Sequence, residues 1–420
     1  MSAKKSSVKN GKRNGVRTWI ELDSAACRRN IETFKKLIGP KIKLWAVVKS
    51  NAYGHGLPAF PKLVEKFGVD PVRGRTPRGA RSTRLLARAA SNGVDGFCVD
   101  SIIEGLRLRK EGIKKPILVL GFTLPQRFGE AAAKGITITI SNLESLKALK
   151  RAKRKPFYHL KIDTGMHRQG FYIDDIPNVI KQIANRKSQI NKRYTLSNSL
   201  QGIYSHFASA KNPGNTLKSA YTEKQFNEFK KAIFILESAG FTGLTKHIAA
   251  TAGTLTSPEY RLDAVRVGIG LYGLWPSEEL EKKFSRKMKL TPVLSWRAII
   301  SEIKTAKPGG YIGYDLTEKI KRPIKYALLP VGYWHGISRS LSRKGEVLIN
   351  GKRARILGRV SMDMVVVDVS GITCKPGDIA TIIGRSGKEE IRAADIAELS
   401  GTSHYEFLTR LNPLMEKVII

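Results

Sequence analysis

The 420-residue chain is poor in cysteine, in long apolar runs and in acid, and each shortage closes off a class of protein. Its three cysteines, Cys27, Cys98 and Cys374, are odd in number and far apart, so they suggest neither a disulfide framework nor a zinc site. No run approaches the roughly 18 consecutive apolar residues of a membrane span, and the first residues lack the apolar core of a signal peptide. A cytoplasmic protein with no membrane partner is expected. Acidic residues number 35 against 74 Lys and Arg, a formal charge of +39, which attracts polyanions in general. Residues 1–17 hold Lys4, Lys5, Lys9, Lys12, Arg13 and Arg17, and residues 71–92 hold Arg73, Arg75, Arg78, Arg81, Arg84 and Arg88, neither with any acid. The rest of the charge is spread along the chain, with no reading motif. No specific nucleic-acid partner is expected, and a nucleic-acid-binding protein is kept as the alternative from another class.

What is present is enough apolar residue, 41% of the chain, for two cores. After a basic tail at 1–17, β-type runs at 44–48, 96–99, 117–121, 136–140, 157–163, 202–206, 247–250 and 264–271 alternate with stretches of helical spacing. Strands alternating with helices imply a parallel sheet. Eight such units predict an α/β fold, a (β/α)8 TIM-type barrel over 18–287, with an open doubly wound sheet as the alternative. Beyond Lys287 helical spacing nearly vanishes. Short strand-like runs with turn signals such as Asn350-Gly351 and Pro376-Gly377 predict a mostly β C-terminal domain at 288–420. Gly68-Val69-Asp70 recurs as Gly93-Val94-Asp95, and removing 71–95 restores an ordinary helix-to-strand link. That stretch reads as an exposed Arg-rich insertion, because Pro, Gly and unpaired like charges oppose a packed core.

Chemistry gathers at the ends of the barrel strands. In Trp45-Ala46-Val47-Val48-Lys49-Ser50-Asn51-Ala52-Tyr53-Gly54-His55-Gly56 an apolar strand stops at a lysine followed by a polar loop. Apolar neighbours would strip water from the Lys49 ammonium and ease its deprotonation, as bonding to a carbonyl requires. A lysine snorkelling from a strand end is the plainer reading of that residue alone.

The twelve-residue run resembles the cofactor-lysine segment of the alanine racemase family, and further matches recur in order from Arg17 to about Arg410. The resemblance implies pyridoxal 5'-phosphate carried covalently on Lys49, with Tyr53 on its phosphate. In Lys161-Ile162-Asp163-Thr164-Gly165-Met166-His167-Arg168, Arg168 matches the arginine that touches the cofactor's phenolic oxygen and the substrate carboxylate. Lys161 matches a lysine carbamylated in some members. His206, in Tyr204-Ser205-His206, would sit between an arginine and the catalytic tyrosine. His247-Ile248-Ala249-Ala250-Thr251 departs from the family's Asn-Ser at its last two positions: Thr251 keeps a hydroxyl for the phosphate, whereas Ala250 loses an amide. In Val265-Arg266-Val267-Gly268-Ile269-Gly270, Gly268 and Ile269 would offer backbone N–H groups to the phosphate. Arg266 would face the pyridine nitrogen, and because a guanidinium does not give up its proton there, the ring acts as a weak electron sink that favours reprotonation over transamination.

By its spacing from Pro308-Gly309, Tyr314 matches the second acid/base, on the face opposite Lys49. Met362 and Asp363 match the substrate entrance. Because Lys49 and Tyr314 fall in different domains, the family implies a homodimer with shared active sites, each completed by its partner. The implied reaction is two-base interconversion of L- and D-alanine, supplying D-alanine for peptidoglycan. Pro413 stands where the family often has a gating tyrosine, so serine or another small amino acid remains an alternative substrate.

Overall fold

The computed structural model describes residues 15–67, 93–184, 196–212 and 214–420. The tail at 1–14 and residues 71–92 of the expected insertion lie outside the described residues. The chain falls into two units: one of Ala25–Ala52 and Leu57–Thr291, the other of Tyr53–Gly56, Pro292–Ile420 and the described part of Met1–Ser24.

The first strand, β1 (Thr18–Leu22), lies within the 18–287 span expected for the barrel, though not among its expected strands, and it belongs to the second unit. It runs antiparallel to β10 (Leu294–Ile299), with Ile20 opposite Trp296. Its TWIEL sequence reads as a half-buried strand in either sheet. Glu21 selects this one, pairing with Arg297 Nε at 3.0 Å.

The first unit holds eight parallel strands: β2 (Lys43–Val47), β3 (Gly96–Val99), β4 (Ile117–Val119), β5 (Ile136–Ile140), β6 (Tyr158–Lys161), β7 (Leu200–Tyr204), β8 (Thr245–His247) and β9 (Ala264–Val267). Each pairs with its neighbour in chain order, and β2 returns to β9 through Lys43 opposite Ala264. An Ala250 to Arg266 bridge and an Asp263 N–H to Lys246 O bond of 3.1 Å link β8 to β9. The result is a nearly closed barrel rather than an open sheet. Its strands are short and mostly apolar because a parallel sheet is covered on both faces; all four residues of β3 are buried, while β8 is the polar Thr245-Lys246-His247.

The intervening helices carry their own stop and start signals. Asn142 Oδ1 accepts the Ser145 N–H at 2.8 Å to begin Leu143–Arg151, which buries Leu146 and Leu149 and ends on Lys150 and Arg151. Ser101 and Glu104 form a reciprocal capping box ahead of Ile102–Lys110. Glu104 also reaches the loop after β2, so capping this helix contributes to the site.

The second unit is mostly sheet, with β11 (Glu302–Ala306), β12 (Tyr311–Ile312), β13 (Glu318–Lys319), β14 (Ile324–Leu329), β15 (Glu346–Ile349), β16 (Lys352–Leu357), β17 (Val365–Asp368), β18 (Ile379–Ser386), β19 (Glu389–Ile391) and β20 (Glu416–Ile419). Its main sheet runs β11-β14-β17-β16-β15-β18-β10-β1-β20. Asn350 and Gly351 turn β15 into β16 with φ of 48° and 77°, the geometry that Asn-Gly favours. Two short helices, Ala393–Leu399 and His404–Thr409, interrupt the strands; the sequence pattern does not announce them.

Candidate active site

Lys49 follows directly on the carboxyl end of β2, where Val48 N–H donates to Cys98 O at 2.8 Å. The next residues, Ser50, Asn51, Ala52 and Tyr53, have φ of 54, 56, 52 and 51°. Four successive left-handed residues, none of them glycine, cost roughly 1–2 kcal/mol each. Hydrogen bonds hold the turn: Ser50 N–H donates to Glu104 Oε1 at 2.6 Å, Leu57 N–H to Asn51 Oδ1 at 2.8 Å and Ala52 N–H to Val48 O at 3.0 Å. The Lys49 ammonium lies 3.6 Å from Asp100 Oδ1, beyond the end of β3.

Lys161 closes β6 and is only 6% exposed. Burial, and then the charges of Arg168 and Arg266, push its ammonium down to about 8. A neutral amine is thereby accessible near neutral pH. Its Nζ donates to Gln169 Oε1 at 3.2 Å.

Arg168 is placed by Asp163, a residue to which the sequence reading gave no role. Asp163 Oδ1 accepts the N–H groups of Gly165, Met166 and His167 at 2.9, 2.8 and 3.0 Å, and Oδ2 accepts that of Arg168 at 2.9 Å. Burial opposes its ionisation, but the backbone N–H groups outweigh it and hold the carboxyl below its usual range. Gly170 lets the loop fold back: its φ is +136°, and a Cβ there would lie 2.5 Å from Asp163 N. Asp163→Asn puts an amide among four N–H donors. It should leave the barrel folded while raising the alanine KM by about tenfold or more through a displaced Arg168; an unchanged KM would contradict this placement.

Arg266, from β9, is 3% exposed. Its NH1 donates to His247 Nδ1 and to His247 O at 3.1 Å; its NH2 donates to Ser205 O at 2.7 Å, Ile248 O at 3.0 Å and His206 Nδ1 at 3.3 Å. The terminal nitrogens are thus committed to the protein. Nε carries no hydrogen bond among the described residues. His206 thus meets Arg266 through one weak bond, while the links to His247 and the carbonyls lay beyond the sequence reading.

His247 stacks on Tyr204 at a centroid distance of 4.9 Å and shares a 2.8 Å bond from Nε2 to His159 Nδ1. Burial, then Arg266 and Lys43, push His159 down to about 3; burial followed by Arg266 holds His247 and His206 well below their usual value. Unfolded, these rings take up protons near pH 6.5, whereas folded they stay neutral far lower. The unfolded chain therefore binds more protons between about pH 6.5 and 3, so stability is complete above that window and is lost as pH falls through it, at up to about 1.4 kcal/mol per pH unit per ring. The urea midpoint should be lower at about pH 5.5 than at about pH 7.5, and a flat profile would contradict neutral burial.

Thr251 Oγ1 accepts Gly268 N–H at 3.1 Å, so this N–H is spent on the hydroxyl rather than left open. Ile269 N–H has no hydrogen bond among the described residues. Ala250, at the departure from the expected Asn, precedes the helix Thr251–Thr256 and gives it no side-chain cap.

The remaining predicted residues belong to the other unit. Tyr53 lies 6.2 Å from Tyr405, ring to ring. Tyr314 is 67% exposed, next to Asp315, which pairs with Arg359 Nε at 3.0 Å. Met362 is 55% exposed and Asp363 is exposed as well. Pro413, also exposed, offers only its carbonyl, to Lys417 Nζ at 2.8 Å.

Within the barrel, then, Lys49, Lys161, Arg168 and Arg266 bring four cations to one end of the strands, and all four depress the titration of Lys161 or His206. Asp100 and Asp163 are the acids that meet them. A barrel whose mouth collects lysine, arginine and neutral imidazole around an excess of positive charge has the arrangement of a barrel enzyme's active site, with charge that suits a small anionic group.

Comparison with known proteins narrows the class. Residues 22–72 and 77–276 match the family described as alanine racemase, N-terminal domain, and 293–419 match alanine racemase, C-terminal domain. The alanine racemase of Leptospira interrogans is 34% identical over 410 residues, covering 96% of each chain. The crystal structure of alanine racemase from Bacillus anthracis with bound L-Ala-P superimposes with a TM-score of 0.82 at 31% identity, over 97% of this chain and 96% of that one. A histidine racemase from Leuconostoc mesenteroides, 26% identical, reaches 0.78 over 98% of this chain and 100% of its own. The chain belongs to the alanine racemase family, a family of isomerases.

Proposed function

We propose that this chain interconverts L- and D-alanine, using pyridoxal 5'-phosphate joined to Lys49. The observation that carries the reading is Arg266, whose terminal nitrogens are all engaged while Nε is left to donate. A donor held at five points, beside three further cations, suits a heteroaromatic phosphate ester. When bound, that group acidifies the Cα–H of an amino acid by drawing electrons from it.

The protein's own groups do the rest. Tyr53, Thr251 and Ile269 would hold the phosphate, and Gly268 would act through the Thr251 hydroxyl, which accepts its N–H and keeps its own proton to donate onward. Arg266 Nε would serve the ring nitrogen, with His206 at its NH2. Arg168 orients the substrate carboxylate, with Met362 and Asp363 shaping the entrance. Carbamylation of Lys161, which needs the neutral amine, would turn a cation beside Arg168 into an anion and fix that guanidinium. Lys49 and Tyr314 take and give the α-proton on opposite faces, Tyr314 being delivered by a partner copy in a homodimer that the enzyme needs in order to turn over.

The test is chiral analysis after the cofactor-loaded protein is incubated with single L-amino acids. Conversion of L-alanine to the racemate, faster than that of L-serine or L-histidine, is expected. Preference for another amino acid would overturn alanine as the substrate, and no inversion of any would overturn the reaction.

A further inference from the structure

We infer that the amino-terminal end of the barrel holds a second binding site, built for a small carboxylate with an apolar body. The inference does not depend on the reaction proposed above. A cavity of about 590 Å³ opens there, at the opposite ends of the strands from Lys49, lined by residues that begin or precede β2, β3, β4, β7 and β8. That volume accommodates a small organic ligand.

Its chemistry is uneven in a way that selects a ligand. Trp45, Phe97, Ile117 and Leu200 make apolar wall. Thr137, Gln201 and Thr245 add neutral polar groups, and two stronger donors, Lys43 and His159, line the space with no acceptor opposite among the described residues. Lys43 has no ion-pair partner among the described residues. Asp95 Oδ2, the carboxylate at the rim, is already committed to Lys35 Nζ at 2.6 Å and Leu44 N–H at 2.7 Å.

The second group is His159, 3% exposed, whose proton position follows from the far end of the barrel. A guanidinium only donates, so His247 Nδ1 must accept from Arg266 NH1 and the His247 proton resides on Nε2. That Nε2–H donates to His159 Nδ1 at 2.8 Å. His159 therefore carries its own proton on Nε2, which has no hydrogen bond among the described residues and belongs to a residue of the cavity wall. Gly202 gives this ring its room: a Cβ there would stand 2.6 Å from both His159 Nδ1 and Cε1. One ammonium and one fixed N–H donor, above apolar wall, match a single negative charge with two acceptor oxygens. A phosphate dianion would be left half compensated.

The experiment is calorimetric titration of the full chain, loaded with pyridoxal phosphate and in excess D,L-alanine, with 2-naphthoate as probe. One saturable site per chain is expected, with Kd below about 1 mM. Lys43→Met, a substitution at an exposed position, should weaken binding at least about tenfold, as should replacing the probe by neutral 2-naphthamide. Racemisation by Lys43→Met should be unaltered. Absence of saturable binding, equal affinity in Lys43→Met, displacement by alanine, or displacement by inorganic phosphate at equal concentration would each overturn the proposal.

Discussion

Replacing Tyr314 with phenylalanine is expected to lower turnover by about 10² to 10⁴ in both directions while leaving the cofactor's absorbance in place. Inversion needs one group on each face of Cα; a single base returns the proton to the face it came from. Each direction uses the tyrosine, once to remove the proton and once to supply it, so neither is spared. The side chain is 67% exposed, and losing its hydroxyl should change stability by no more than about 0.5 kcal/mol. Chiral chromatography of the product, read beside the absorption spectrum, separates the outcomes. Near-normal racemisation with a normal spectrum would reject Tyr314 as the second acid/base.

The other large effect is expected at Arg266. Lysine there keeps the charge but not the fork, and an ammonium on a flexible stem cannot serve His247, Ser205 O and Ile248 O together while presenting a further donor. Carbonyls left without donors should cost on the order of 3 kcal/mol. Displacement of the ring and substrate should reduce kcat/KM by about 10² or more. Urea unfolding and steady-state kinetics of Arg266→Lys measure the two losses separately. Wild-type stability would contradict the network described for this guanidinium.

Much of this architecture is legible in the sequence, for a definable reason. Seven of the eight barrel strands lie within or close to the apolar runs that mark them, because a strand buried on both faces is largely apolar and bounded by breakers, whereas β8, Thr245-Lys246-His247, is marked only by the apolar residues that follow it. The lysine-bearing run is legible as a strand that ends in a charge. β1 is not assignable in this way: a five-residue strand with one inward charge fits either sheet, and the choice rests on Arg297, 276 residues away. The left-handed turn at Ser50–Tyr53 is likewise invisible, since of its four residues only Asn51 is a type that favours such a backbone. Asp163 goes unread because its partners are backbone N–H groups, although an Asp followed by Thr-Gly is a turn signal. The His159–His247–Arg266 chain joins residues 88 and 19 positions apart, with no local pattern to mark it.

The placement of Lys49 bears on every chemical step proposed here. The most direct measurement is to load the protein with pyridoxal phosphate, reduce it with borohydride, digest it and locate the added mass. The account predicts a single stoichiometric adduct on the peptide containing Lys49. An adduct on Lys161 or any other lysine, or none at all, would contradict it.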